Sequence, residues 1–562
     1  MSANTDYGQL VTHHVINTLE WIAGLIGQVF DQLPVHWPEP LRVIVMILIM
    51  MVGIALLQHT FALLRFLVAK IVHLPKILFV YWWLKYTSPY DRSGWATIED
   101  IRKCDSLNSV GLSIGQFRSG WFKTIDLFHE GEGHFFTCAS PGSGKTTRFI
   151  IPAILQMPKG HSMIITDPSG EITAITARDQ SSLRDDYYIN PFFNDFISST
   201  GLEYKDSGFN PLDFIEDNEN IKNHSDIVAQ YLSVTGRAES TTYFDDDGKE
   251  LLSLFIAWMV RYEKPENRNL VFLYKLLRDD PVSTVNRIAA SGDQHILYDG
   301  KGFSNIAKVK PQWEGVISKA KLATKRYIPG TPLGDHVSKY GGFDPKLLKN
   351  EDVDVAVYVL LPSQHLVTNS SWLNMVMGLL GDMVGRAGSE RPVKMLLDEL
   401  PALGFLPDLQ SQMRQHRKAG MRCWLFSQSI EALSSDHMYG EKGFKDMLTQ
   451  CAGKIYFGTL SYELAAYISD LFGKHGVISR SANADSGVAL GLTEVPLITP
   501  SQAMKLGKDE FFLDYSNMKP VRGRTIPYYK RKKWVDRTDP NPFINKPKKA
   551  RSQRHGWRTV LR

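Results

Sequence analysis

The chain has little cysteine: four residues in 562, at Cys104, Cys138, Cys423 and Cys451. No two stand in CxxC spacing and no histidine cluster accompanies them. That excludes a disulfide scaffold and the usual zinc sites, and it suits a reducing compartment. The stretch from His129 to His134 reads HEGEGH, whose spacing is not HExxH and whose glycines disfavour a helix; it does not read as a zinc-protease motif. No lysine or arginine precedes Arg42, so the basic segment that opens a cleavable signal peptide is missing. No repeat of fixed period recurs, which excludes a solenoid. What is plentiful is apolar material: 43% hydrophobic against 22% charged residues. A chain of this composition is not disordered, and its length suits about three to four domains.

One apolar run stands out. Val43 to Leu57 reads VIVMILIMMVGIALL and carries no charge. Continued through Phe61, Ala62, Leu63 and Leu64, it reaches the ~20 residues a bilayer-spanning helix needs. A second span is open between two segments. Val15–Phe30 contains Asn17, Glu20 and Gln28 and reads equally as an amphipathic surface helix. Phe66–Leu84 contains Lys70, His73, Pro75 and Lys76, which favour the membrane interface. Arg65, Lys70, Lys76, Lys85 and Arg92 all follow the main span, with Tyr81, Trp82 and Trp83 beside them. The positive-inside rule and the aromatic belt then make everything after the span cytoplasmic.

The other end is basic. From Lys530 onward there are twelve Lys/Arg against Asp536 and Asp539, a net +10, so the preceding residues carry −5 of the total +5. Such a tail reads either as a polyanion or membrane binder, with Trp534 and Trp557 stacking on bases, or as a solvated disordered end.

Between these ends lies an α/β pattern. Short apolar runs at His134–Ala139, Ser162–Thr166, Val353–Leu361, Lys394–Leu397, Arg422–Ser427, Lys454–Gly458 and Glu510–Asp514 predict a parallel sheet covered on both faces. From about Phe214 to Val337 the runs stop and helical patterns take over. The expected organisation is a membrane anchor and stem over 1–92, a nucleotide-binding domain over 93–213 and 341–529, an inserted all-α domain over 214–340, and a basic tail over 530–562.

The chemistry centres on Ala139-Ser140-Pro141-Gly142-Ser143-Gly144-Lys145-Thr146, followed by Thr147. A predicted strand precedes it and a helix follows, the setting a Walker A phosphate loop requires. Its backbone N–H groups cradle the phosphates of ATP, Lys145 reaches the outer phosphates, and the Thr146 hydroxyl is a Mg²⁺ ligand. The first position is Ala139 where the pattern has glycine. The strand ending in Asp398-Glu399 reads as Walker B, with Asp398 on Mg²⁺ and Glu399 as the base that polarises water. Arg417, in what reads as a basic helix, is either a solvated cation or a finger reaching a neighbouring subunit. Gln428, at the end of the next strand, is placed to sense the γ-phosphate or to orient water. Asp167-Pro168-Ser169-Gly170-Glu171 reads as a strand running into a helix capped by Asp167.

In their order these pieces resemble the type IV secretion coupling proteins of the TraG/TraD kind: Walker A, DPSGE, LLDELPALGFLPDL, RKAG and FSQSIEAL. The stretches SGWAT (Ser93–Thr97), TYFDDDGKELL, LITPSQAMKL and IPYY add to it, so that it spans Ser93 to Tyr529. The resemblance implies a RecA-like P-loop core with an inserted all-α domain, an N-terminal anchor usually of two helices, and a homo-hexameric ring. It implies Arg417 as an arginine finger in trans and Gln428 as the matching glutamine. It also implies ATP-driven delivery of substrates to a secretion channel, from the bacterial inner membrane. The partners would be the channel's inner-membrane components, a relaxosome or effector and adaptor proteins, and single- or double-stranded DNA. Two readings compete: a DNA translocase of the FtsK sort, which usually carries several spans and a C-terminal winged helix, and a docking scaffold that does not hydrolyse nucleotide.

Overall fold

The computed structural model describes residues 20–21, 23–24, 27–28, 31–32, 38–55, 58–60, 94–104, 107, 111–119, 123–233, 243–386, 389–483 and 487–544. They belong to two compact units, Met1–Asp91 and Arg92–Arg562.

In the first unit, helix Glu39–Thr60 runs 22 residues with a mean hydropathy of 2.6. Among the described residues it is the one helix long and apolar enough to cross a membrane. Ile44, Leu48, Met51 and Ile54 are each more than half exposed along it. Apolar surface left in water costs about 25 cal/mol per Å², so such a helix suits hydrocarbon rather than water. Phe61–Leu64, Phe66–Leu84 and most of Val15–Phe30 lie outside the described residues, as do Arg65 to Arg92 and Ser93.

The second unit is built on an 11-stranded mixed sheet. In chain order its strands are β1 (Leu112–Ser119), β2 (Lys123–His129), β3 (His134–Ala139), β4 (Ser162–Thr166), β5 (Asp185–Ile189), β6 (Val355–Val359), β7 (Val393–Leu397), β8 (Met421–Ser427) and β9 (Cys451–Phe457). After a separate two-stranded ribbon, β10 (Lys474–Asn483) and β11 (Gly487–Pro496), come β12 (Glu510–Tyr515) and β13 (Val521–Arg524). Across the sheet the order is β2-β1-β13-β12-β9-β3-β8-β7-β4-β6-β5. The strands from β9 to β5 are parallel; β12, β13, β1 and β2 continue the sheet antiparallel.

Two-sided burial explains the continuous apolar runs. On β6, Val355, Val357 and Val359 join one core while Ala356 and Tyr358 join the other. On β8, Cys423 and Leu425 face the first core, and Trp424 and Phe426 the second. Both faces need apolar side chains, so no alternation shows in the sequence. Of the seven expected strands, six lie in the parallel part. The seventh, β12, corrects the expectation: it pairs antiparallel with β9. It is buried on both faces like the others, and burial carries no information on direction.

Between β5 and β6 the described residues form only helices and turns, the longest helix being Tyr243–Tyr262. Its Leu251, Leu252, Leu254 and Phe255 share the core that contains Met395 and Leu397 of β7. The helices thereby cover one face of the sheet. The phosphate-loop helix, through Phe149 and Ile150, and helix Glu171–Ser181, through Ile172 and Ala177, belong to the core of the other face.

The basic tail departs from expectation. Residues 530–544 are folded onto the α/β core rather than free. Trp534 is 2% exposed and packs with Ile151, Leu155, Ile175 and Tyr528, so it is not available to stack on bases. Two nearby arginines find carboxylates: Arg531 pairs with Asp126 at 3.0 Å, and Arg537 donates twice to Asp179, each at 2.7 Å. A buried indole and paired guanidiniums outcompete solvation of the tail. Trp557 lies outside the described residues.

Candidate nucleotide site

In a parallel sheet, ligands gather where strands end at their carboxyl edge. Ser140, Asp167, Asp398, Gln428 and Gly458 each follow directly on the last residue of β3, β4, β7, β8 and β9. Strand order decides which of them meet. β8 lies between β3 and β7, with Cys138 beside Ser427 and Leu397 beside Leu425. That register brings the loop after β3, the Asp398-Glu399 pair and Gln428 together.

After Ala139 the loop Ser140–Gly144 turns into a helix. Its first turn, Thr146–Ile150, is π-wound, and it continues as an α-helix over Ile151–Leu155. Gly142 and Gly144 have φ of 70° and 90°, a region any side chain would strain. Thr147 Oγ1 donates to the Gly144 carbonyl at 3.1 Å. The Ser143 hydroxyl is buried with no partner.

The carboxylates meet the lysine. Lys145 Nζ lies 2.9 Å from Asp398 Oδ1 and donates to Glu399 Oε2. Gln428 Nε2 donates to the same Glu399 oxygen at 2.7 Å. Glu399 adopts a positive φ of 55°; among the non-glycine described residues only Asn517 also has a positive φ. Strain of this kind collects at functional sites. Burial would lower the Lys145 pKa, but Asp398 and then Glu399 offset it and hold the ammonium above its ordinary value. Burial raises Asp398 despite the opposing pull of Lys145. Asp167 is fully buried, and burial is the main reason its carboxyl is pushed up to about 6.

Asp167 corrects another expectation. The helix starts at Glu171 behind Gly170, not at Pro168. Asp167 Oδ2 accepts from Thr173 N and Oγ1 at 2.7 and 2.8 Å, while Ser169 Oγ donates to Oδ1 at 3.1 Å. The carboxylate thus staples the whole DPSGE loop to the first turn of the helix, which a simple cap would not.

Arg417 stands apart. The helix before it ends at Gln415 and Arg417 occupies an exposed turn, not a helix. It precedes β8, whereas Gln428 follows it. Seven strand residues at ~3.3 Å each separate the two ends by about 23 Å, so Arg417 does not reach the site of its own chain. Among the described residues its side chain makes no ion pair.

Three features escaped the sequence reading. A Cβ on Gly458 would lie 2.4 Å from Ser140 Oγ and 2.7 Å from Ser143 Cβ, so glycine there lets β9 seat the loop. Thr459 N donates to Ser140 Oγ at 2.9 Å from the same turn. Arg148, 7% exposed, ties the loop's helix to Asp509 at 2.7 Å and to Thr525 Oγ1 at 3.1 Å. A glycine just past an apolar run and an arginine inside TTRFII were the available signals. The histidines of HEGEGH have local partners: His129 bonds Tyr515 and the Gly133 carbonyl, and His134 bonds the Met413 carbonyl and Cys423 N.

Whether nucleotide and Mg²⁺ fit can be judged from the donors. Left-handed glycines leave the loop backbone open, the Ser143 hydroxyl lacks a partner, and Thr146 with Asp398 offers the oxygen ligands Mg²⁺ prefers. A loop so formed, over a sheet so ordered, defines a P-loop nucleotide-binding α/β protein. Over residues 94–551 the chain matches the family described as Type IV secretory system Conjugative DNA transfer. It belongs to that family, and with it to the coupling proteins of type IV secretion. It is 25% identical over 445 residues to the type IV secretion system-coupling protein VirD4 of Bartonella quintana. It is 24% identical over 447 residues to the conjugal transfer protein TraG of Escherichia coli. These alignments take in 75% and 71% of the chain but 66% and 65% of those relatives, so the chain spans just under two thirds of their length. In fold it is similar to the conjugative coupling protein TrwB. The sulphate-bound form matches with a TM-score of 0.57 at 14% identity, over 78% of this chain and 96% of that one. The form with ADP and Mg²⁺ matches at 0.56 and 13%, over 78% and 96%.

Proposed function

We propose that this protein is an ATP-driven coupling protein of the bacterial inner membrane, which recruits DNA–protein or protein substrates and delivers them to a type IV secretion channel. The observation that carries the reading is the convergence of the Ala139–Thr147 loop with Asp398, Glu399 and Gln428 inside a coupling-protein chain. Lys145, held by two carboxylates without nucleotide, turns to the outer phosphates of ATP. Thr146 and Asp398 hold Mg²⁺, which neutralises phosphate charge when bound. Glu399, released from Lys145 and oriented by Gln428, takes the proton of the attacking water. Arg417, exposed and too far from its own site, serves the neighbouring protomer of a homo-hexamer. The helices between β5 and β6 form the all-α domain, set over 214–340, that faces relaxosome or adaptor proteins. The span Glu39–Thr60 anchors the ring, with the nucleotide site in the cytoplasm.

The test is nucleotide turnover by the full chain in detergent, with and without single-stranded DNA. Lys145→Ala abolishes turnover, and Glu399→Gln binds ATP but hydrolyses it slowly. Arg417→Ala is inactive alone and regains partial activity when mixed with Lys145→Ala. Near-normal turnover by Glu399→Gln removes that residue as base. No hydrolysis by the unaltered chain favours a scaffold.

A further inference from the structure

The folded part of the basic tail does more than cover apolar surface. Trp534 presses on Ile151 and Leu155 of the phosphate-loop helix and on Ile175 of helix Glu171–Ser181. The segment then follows that second helix toward its start. Arg537 holds Asp179, Asp539 N donates to the Ile175 carbonyl at 3.1 Å, and Arg178 Nε donates to Asp539 at 2.7 Å. It finishes at Asn541, whose Nδ2 donates to Glu171 Oε1 at 2.6 Å while its Oδ1 accepts from Phe543 N at 2.8 Å. Both ends of the amide are engaged, so its orientation is set, and Asn541 is 6% exposed.

Glu171 opens the helix that the DPSGE loop leads into from the carboxyl edge of β4. β4 neighbours β7, whose last residue directly precedes Asp398. Thr166 stands beside Leu397 in the ladder and its Oγ1 donates to the Asp398 carbonyl at 3.4 Å, so the DPSGE loop leaves the sheet next to Asp398. The loop between is stiff: Ser169 Oγ accepts from Glu171 N at 3.1 Å, and a Cβ on Gly170 would lie 2.8 Å from Phe196. With the backbone so held, the freedom left to Glu171 is in its side chain, and Asn541 removes it.

We propose that Asn541 is a positioning residue for the nucleotide site, fixing the Glu171 carboxylate at the end of the loop that leaves the sheet next to Asp398, and that the strap Tyr528–Asn541 delivers it there. This rests on reading the site as one for Mg²⁺-nucleotide. Freed from Asn541, Glu171 turns toward the charges around Asp398 and competes for Lys145 and for any cation bound there. Binding of Mg²⁺-nucleotide weakens, whereas the steps after binding, which depend on Glu399, do not.

The experiment compares the full chain in detergent with Asn541→Ala, Asn541→Asp, Glu171→Ala and the Asn541→Ala/Glu171→Ala double variant. The readouts are the rise in Tm on adding ADP with Mg²⁺, and KM and kcat for MgATP. A lost hydrogen bond to a charged group is expected to raise KM about tenfold with kcat within about twofold, and to shrink the MgADP-induced shift. The double variant is no worse than Glu171→Ala alone, and Asn541→Asp, which sets two carboxylates together, is worse than Asn541→Ala. A lower Tm without ligand but an unchanged KM and MgADP shift would make the strap merely structural and overturn the proposal. Additive effects in the double variant would overturn it too. No MgADP shift in the unaltered chain would bring down the reading of the site and this proposal with it.

Discussion

Replacing Lys145 by alanine removes the proposed phosphate ligand, but the structure ties a second consequence to it. Without nucleotide the ammonium sits between Asp398 and Glu399, with the three side chains 13%, 11% and 22% exposed. Truncating the lysine leaves two largely buried carboxylates uncompensated, which typically costs about 3–5 kcal/mol. The compact unit Arg92–Arg562 has about 470 residues. At roughly 2.1 cal/mol/K per residue its unfolding entropy is about 1 kcal/mol/K, so the nucleotide-free Tm should fall by about 3–5 °C. The loss also has a sign in pH. Asp398 is already raised above 3.8 by burial, with Lys145 pulling the other way. Without Lys145 it rises further. A carboxyl raised in the folded state costs stability above its folded pKa and nothing below its unfolded one. The deficit of the variant therefore shrinks as the pH falls toward 4. Differential scanning calorimetry of both proteins without nucleotide, at several pH values, measures it. Glu399→Gln in the Lys145→Ala background should restore part of the loss. An unchanged Tm at pH 7, or a deficit that grows on acidification, would refute the reasoning.

Three further expectations concern packing elsewhere in the fold. Lys394 on β7 is 2% exposed, and burial, then Arg422, pushes its pKa from 10.5 down to about 7. Lys394→Met should stabilise the protein by at most about 5 kcal/mol below pH 7, the gain fading as pH rises toward 10.5, because the native lysine penalty is present while the unfolded chain binds the extra proton; a gain independent of pH in denaturant titrations would contradict it. Trp534→Ala should cost about 3–5 kcal/mol by emptying the cluster around Ile151 and Leu155, and an unchanged urea midpoint would show that the strap does not stabilise the core. Gly458→Ala should weaken nucleotide binding in a fluorescent-analogue titration while leaving the circular dichroism spectrum as it was, since the new Cβ meets Ser140 and Ser143; full affinity would release Gly458 from the loop's support.

Much of this was legible in the sequence because it is local chemistry. The P-loop is one contiguous stretch whose glycines, lysine and threonine each have a local reason. The long apolar helix Glu39–Thr60 needed only a count of uncharged residues. Strands buried on both faces announce themselves as unbroken apolar runs. The antiparallel strands β1, β2 and β13 at one end of the sheet went unseen, since one of β1's eight residues is Gly115 and β13 reads VRGR, with its two arginines exposed. β5 was hidden by the two aspartates that open DDYYI.

What the tertiary structure alone decided concerns order and direction. No local pattern says that β8 lies between β3 and β7, yet that insertion is what sets Gln428 on Glu399. Nor does any pattern say that β12 runs against β9, since its residues are buried as fully as those of a parallel strand. Arg417 and Gln428 are eleven residues apart in the sequence and stand at opposite ends of one strand. Trp534 and Arg537 read as free cationic tail because charge is visible locally, while the partners that bury them, Ile151 and Asp179, lie more than 350 residues away. Periodicity and composition encode which surfaces a segment must bury; the free energy of packing distant segments together selects which surfaces it meets.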